Sequence, residues 1–139
     1  MRPEVVKIAR DQYQHMIDDC VARAPIEACG YLGGHDGLIT HCFPMVNHDH
    51  ATDHFTFDPK EQFEVLKKAR AAGIQLMGVY HSHPETPARL SAEDLRLFSD
   101  PHMQYWIVSL CEETPQVGVF RIQKATHQVD ISVWSIVIT

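Results

Sequence analysis

The sequence predicts an α+β domain in which helices cover a mixed β-sheet, and three observations carry that prediction. Residues 1–139 have the length of one ordinary domain and are expected to share one core. Apolar spacing alternates between strand-like and helix-like periods early in the chain and stays strand-like afterwards. That order argues for a mixed sheet and against a pure doubly wound fold. Hydrophobic residues make up 45% and charged residues 22%, while Gly (7) and Pro (8) are few and scattered. Such usage excludes disorder, collagen-like repeats and low complexity.

Val5, Val6 and Ile8 open a short edge strand. From Ala9 onward Tyr13, Met16, Ile17, Cys20, Val21 and Ala24 recur at helical spacing, until Pro25 stops the helix. Ala28 to Leu32 reads as a strand, Gly33 to Gly37 as a turn and Leu38 to Val46 as a returning strand, so the pair is a hairpin. Asn47 to Phe57 is a polar, His-rich loop. Asp58-Pro59-Lys60-Glu61 starts the next helix, with Asp58 as cap, Pro59 at the first helical position and Glu61 completing a capping box. Phe63, Leu66 and Ala69 supply its buried stripe, and Gly73 its C-terminal cap. Ile74 to Tyr80 is a buried strand, after which Pro84 and Pro87 break the chain. Ser91-Ala92-Glu93-Asp94 starts a third helix that ends near Ser99 to Pro101. Gln104 to Leu110, Val117 to Ile122 and Val129 to Ile138 are strands, for about six strands besides the short opening one, and three helices.

Twelve Lys+Arg against eighteen Asp+Glu leave a formal charge of -6. Sequence-independent nucleic-acid binding needs basic patches, and an acidic chain is a poor candidate for it. Lys67, Lys68 and Arg70 are the one tight basic group, and read as a solvated helix face. The N-terminus has no apolar signal region, and no apolar run approaches the ~20 residues of a membrane helix. Cys20, Cys29, Cys42 and Cys111 form no C-x-x-C pair, so they read mostly as reduced, small core residues of a cytoplasmic protein. Trp106 and Trp134, both on strands, read as core. Ten histidines are the odd feature of the composition.

The sharpest signal is His81-Ser82-His83-Pro84, followed by Asp94. On a strand, positions i and i+2 point to one face, so both imidazoles can meet one divalent ion. Ser82 then faces the other way and is no nucleophile. Asp94, one turn into the third helix, can close a His2Asp site with one position left for water, the layout of a catalytic zinc. Such a site also needs a carboxylate base. Spacing leaves Glu27, Asp53, Asp58 and Glu85 all open for that role.

The pattern H-S-H-P, six residues, S-x-x-D, with Glu27 upstream of a C-G-x-L-x-G strand, resembles the JAMM (MPN-plus) zinc metallopeptidases in their minimal prokaryotic form. One position departs from the usual pattern: Leu90 stands where a Pro commonly precedes the serine. The resemblance implies an MPN fold of cytidine-deaminase-like architecture and one Zn2+ held by His81, His83 and Asp94. It implies Glu27 as general acid/base and Ser91 as donor to the oxyanion. It further implies cleavage of a peptide or isopeptide bond after the Gly-Gly tail of a ubiquitin-like or sulfur-carrier protein. The rival is a non-catalytic MPN-like module that binds a ubiquitin-fold partner. A zinc nucleobase deaminase would need P-C-x-x-C, which the chain lacks.

Ser91 is also an ideal N-cap, and the two roles are compatible. His48, His50 and His54 read as a solvated loop beside the groove, with a second metal as the alternative. Cys29 reads as a small buried residue on the same side of its strand as Glu27. The oligomeric state is open.

Overall fold

The computed structural model describes residues 4–139. Its elements run β1 (Val5–Ile8), α1 (Arg10–Arg23), β2 (Cys29–His35), β3 (Leu38–Met45), α2 (Pro59–Ala71) and β4 (Gln75–His83), then α3 (Ala92–Leu97), β5 (Gln104–Ser109), β6 (Gln116–Ala125) and β7 (Gln128–Ile138). The strands hydrogen-bond in the order β1-β3-β2-β4-β5-β6-β7, and β7 returns to β1, so the sheet closes. It is mixed: β4–β5, β1–β3 and β1–β7 are parallel, and the other pairs antiparallel.

Closure overturns the reading of Val5 to Ile8 as an edge strand. β1 pairs with β3 through Lys7↔Leu38 and with β7 through Val5↔Ser135, and its alternating burial reports one packed face, not a count of neighbours. The hairpin also differs from expectation. Gly33 and Gly34 lie inside β2, at a bulge, and the turn falls at Asp36 and Gly37, both with positive φ. A Cβ on Gly34 would stand 1.9 Å from the Leu38 carbonyl oxygen, so close backbone approach explains that glycine.

The buried stripe of α2 is the third correction. Val65 and Ala69 face inward, whereas Phe63 is 62% and Leu66 43% exposed. The periodicity was compatible with two faces, and the contact of Gln62 Nε2 with the Tyr31 hydroxyl marks the one the sheet selects. Asp58 does cap, accepting from the Lys60 N–H, but Glu61 accepts from the Val46 N–H instead of closing a capping box.

Side chains of β4 alternate between two packed faces. On one side Tyr80 joins Val6, Ile8, Met16, Cys20, Trp106, Val108 and Val119 in the larger core, which α1 covers. On the other side Val79 packs with Phe98, Tyr105 and Ile122. Each fully buried large apolar side chain contributes about 1.5–3 kcal/mol. Trp106 is fully buried, while Trp134 is only partly so. The cysteines divide: Cys20 and Cys29 are buried, Cys42 half-buried and Cys111 exposed, all four free. Cys111 therefore departs from the core reading; it sits on the β5–β6 connection, where its thiol meets Ser109. Lys67, Lys68 and Arg70 are exposed, and no helix among the described residues is long and apolar enough to cross a membrane.

Candidate active site

The site forms where β4 ends. Ligands in α/β sheets favour the crevice at strand carboxyl ends, because the following loops open there. His81 and His83 point to one face, with 0% and 5% of their surface exposed. Ser82 points to the opposite face, where its Oγ accepts from the Ala28 N–H at 2.8 Å while its own N–H donates to the Ala28 carbonyl at 3.0 Å. That reciprocal pair fastens Glu27, the preceding residue, beside His81.

Asp94 arrives from α3. Ser91 Oγ accepts from the Asp94 N–H at 3.0 Å, and the Asp94 carboxylate accepts from the Ser91 N–H at 2.9 Å. This capping box is complete and turns the carboxylate toward the strand end. His81 Nε2 lies 3.0 Å from Asp94 Oδ1, His83 Nε2 3.1 Å from Oδ2, and the two Nε2 atoms 3.1 Å from each other. Tetrahedral ligands at zinc bond lengths stand about 3.3 Å apart. The donor set fits as well. His83 Nδ1 donates to the Pro87 carbonyl at 2.9 Å, which in the neutral ring leaves Nε2 as a lone pair facing the centre. Among the described residues, His81, His83 and Asp94 are the group that could hold a metal ion.

Electrostatics separate the carboxyls. Burial works to raise the Asp94 pKa, but the hydrogen bonds to His81 and His83 overcome it and hold the group well below the usual range. Burial lowers His81, while His83 is raised against burial by its bond to Asp94. Burial pushes the Glu27 carboxyl up to about 8. Its Oε1 stands 4.0 Å from His81 Nε2. Of the other open candidates, Asp58 caps α2, Asp53 lines the cleft but bonds His54, and Glu85 is exposed on the cleft wall. Glu27, His83 and Ser91 share a cleft of about 510 Å3 with Asp53, Glu85 and Glu93.

Several supporting residues lay beyond sequence reasoning. Asn47, 2% exposed, donates to the carbonyls of Glu27, Ala51 and His54 at 3.1, 3.3 and 2.9 Å and so ties the loop to the site. Phe55 and Phe98 flank the His81 ring at 5.0 and 5.3 Å between centroids. Both act through tertiary contact, and no local spacing announces them. In the loop, His54 sits between Asp49 and Asp53, 3.0 Å from each. The His48 main chain bonds Thr56, and His50 adopts a positive φ. Cys29 lies directly across from His81 in the β2–β4 register and is fully buried.

Fold and cluster together define an α+β architecture with a His-His-Asp group at a strand end that could hold a metal ion. The chain belongs to the prokaryotic homologues of the JAB domain, a family that it matches over residues 9–124. It is similar to the CysO-cysteine peptidase of Mycobacterium tuberculosis, with 31% identity over 107 residues that cover 76% of this chain and 73% of that protein. It is similar to the desampylase of Haloferax volcanii, with 32% identity over 105 residues covering 73% and 76%. The solution structure of a protein from Desulfitobacterium hafniense superposes with a TM-score of 0.84 at 37% identity, covering 96% of this chain and 92% of that one.

Proposed function

We propose that this protein is a zinc-dependent hydrolase, one domain acting in the cytoplasm, that cuts the bond after the Gly-Gly tail of a ubiquitin-like or sulfur-carrier protein. The observation that carries the reading is the meeting of His81 Nε2, His83 Nε2 and the Asp94 carboxylate, with the buried Glu27 carboxyl 4.0 Å from His81. The names of the relatives, a CysO-cysteine peptidase and a desampylase, support a substrate of this kind. The segments at 47–57 and 99–104 are too short to carry an insertion that grips a second folded protein.

A single Zn2+ held by His81, His83 and Asp94 would supply Lewis acidity and bring a water pKa to ~7. The chain's own groups do the rest. Glu27 takes the proton of the attacking water and returns it to the departing amine. Its carboxyl, buried and 4.0 Å from His81 Nε2, stands within reach of a water at the centre of the cluster. Ser91 Oγ already accepts from the Asp94 N–H, so its hydroxyl hydrogen is left to donate to the carbonyl oxygen as charge gathers there. His83 is kept in orientation by Pro87, and Asp94 by the cap of its own helix.

The test is a sulfur-carrier protein extended past its Gly-Gly end, incubated with zinc-loaded wild type and with Glu27→Gln, products read by intact mass. The expected result is a cut after Gly-Gly by the wild type and a loss of about 10²–10⁴ in rate for Glu27→Gln at unchanged zinc content. Tight binding without cleavage by zinc-loaded wild type would instead establish the non-catalytic module.

A further inference from the structure

We infer that a second ligand site, for a small oxyanion or carboxylate, lies at the opposite end of the sheet from the histidine cluster, in a cavity of about 290 Å3. β4 borders this cavity from Gln75 to Met77 and reaches the cluster at His81, so at least about 13 Å of strand separates the two. The inference is independent of any hydrolytic activity.

Arg121 and Trp134 are its centre. In the β6–β7 register Val119 pairs with Trp134 and Arg121 with Ser132, so Arg121 and Trp134 share the core face of Val119 and are diagonal neighbours. The Arg121 guanidinium carbon stands 4.7 Å from the indole centroid. Stacking fixes the plane of the guanidinium but uses none of its N–H groups. Arg121 Nε and Trp134 Nε1 are both shut off from solvent, and neither finds an acceptor among the described residues. Buried donors in native proteins are nearly always satisfied, and two orphans side by side call for a shared partner. Arg121 makes no ion pair among the described residues, and no Asp or Glu lines the cavity. Gln104, 4% exposed, adds a third donor: its amide oxygen accepts from Trp106 Nε1 at 3.1 Å, which leaves the amide nitrogen for another partner.

Gln75 and His102 also line the cavity, but the three buried nitrogens of Arg121, Trp134 and Gln104 all offer hydrogen, and the one fixed charge is positive. The ligand that matches is an acceptor carrying negative charge. A guanidinium presents two parallel N–H bonds to two oxygens of a carboxylate or phosphate-type anion, and the indole N–H reaches one more. A net charge of -6 gives the chain no general attraction for anions, so saturable binding would belong to this cavity.

The chain holds two tryptophans, so its 1H–15N spectrum carries two indole signals, assigned by Trp134→Phe. Sodium phosphate and sodium acetate are titrated separately into the full chain, with sodium chloride holding ionic strength constant. The Trp134 indole signal is expected to move and saturate with a midpoint on the order of 1 mM, while that of Trp106 stays in place. Arg121→Gln is expected to weaken the midpoint at least about tenfold with the Trp106 signal unchanged. If that variant does not fold, Arg121→Lys, which keeps the charge and loses the fork, is expected to weaken it by about twofold to fivefold. A tighter midpoint for phosphate assigns a phosphate-type ligand, and a tighter one for acetate a carboxylate. No saturable movement with either anion, or equal movement in the folded Arg121 variant, overturns the site.

Discussion

At the residue scale, what was legible in the sequence is what short spacing encodes. His81 and His83 share a face because a strand alternates, and Ser91 and Asp94 bond each other because a helix begins there. Glu27 is different. It lies 54 residues before His81, spacing alone left four carboxylates open, and the resemblance supplied the choice. Its place beside His81 depends on the paired bonds of Ala28 and Ser82, which no linear pattern reveals. Ser91 offers a clean division between structure and chemistry. Ser91→Ala removes the cap and is expected to cost about 1 kcal/mol of stability, read by denaturant unfolding. If the hydroxyl also donates to the developing oxyanion, kcat falls by about 10²-fold or more as well. A stability loss with kcat unchanged would confine Ser91 to its helix.

At the scale of elements, the segment between β3 and α2 carries the most unexpected structure. It reads as loop from composition, yet Asn47 at its start satisfies three carbonyls and Phe55 near its end backs His81. Asn47→Ala removes this donor from the Glu27 and His54 carbonyls, leaves the Ala51 carbonyl with the Glu27 N–H alone, and is expected to cost about 1–3 kcal/mol. Hydrogen exchange should locate the damage at the Glu27 amide, which bonds the Ala51 carbonyl at 2.8 Å; damage spread evenly over the sheet would refute that assignment. The same loop responds to pH. Hydrogen bonds to Asp53 and Asp49 raise His54 above its ordinary 6.5, so its contribution is complete below 6.5 and fades as pH climbs through the higher folded value. Hydrogen bonds from Thr56 and His54 lower Asp49 below 3.8, so its contribution is complete above 3.8 and fades as pH falls through the lower folded value. The loop is tied best between these limits. The His48 amide, bonded to the Thr56 carbonyl, should lose protection between pH 6 and pH 8 after correction for intrinsic exchange; equal protection would show that His54 does not hold the loop. The misplaced stripe of α2 teaches the same lesson from another side: periodicity finds a helix, but the sheet decides which of its faces is inner.

At the scale of the whole molecule, strands and helices were legible and the closure of the sheet was not. The bonds that close it join β1 to β7, and the Ser135 N–H to the Glu4 carbonyl, across most of the chain. Separations of that size leave no trace in local pattern. They also weight folding toward non-local contacts, which are slow to form. The His81, His83 and Asp94 group that could hold a metal joins two consecutive elements, β4 and α3. A bound ion should therefore stabilise the fold as a whole by RT ln(1 + [M]/Kd), about 4 kcal/mol at a thousandfold excess over Kd. Chelation is expected to lower the melting temperature by several degrees and to abolish turnover, with zinc restoring both. Turnover that survived complete zinc removal would sink the mechanism while leaving the fold untouched.

Closure has a further consequence for how the chain behaves before it is finished. β7 presents Val129, Ile131, Val133 and Val137 to solvent, between 43% and 69% exposed. In isolation, such a β-branched run is the kind of strand that zips onto copies of itself and seeds fibres. In the folded molecule β6 pairs with Gln128 to Trp134 and β1 with Ser135 to Ile138, so each half of β7 is held along one of its edges. The hazard is greatest during synthesis, before either partner has docked. β1 is made before β7 and waits for it while every element between them is built. Chains in which β7 is made but not yet docked on β6 and β1 would be the ones that clump and call on chaperones.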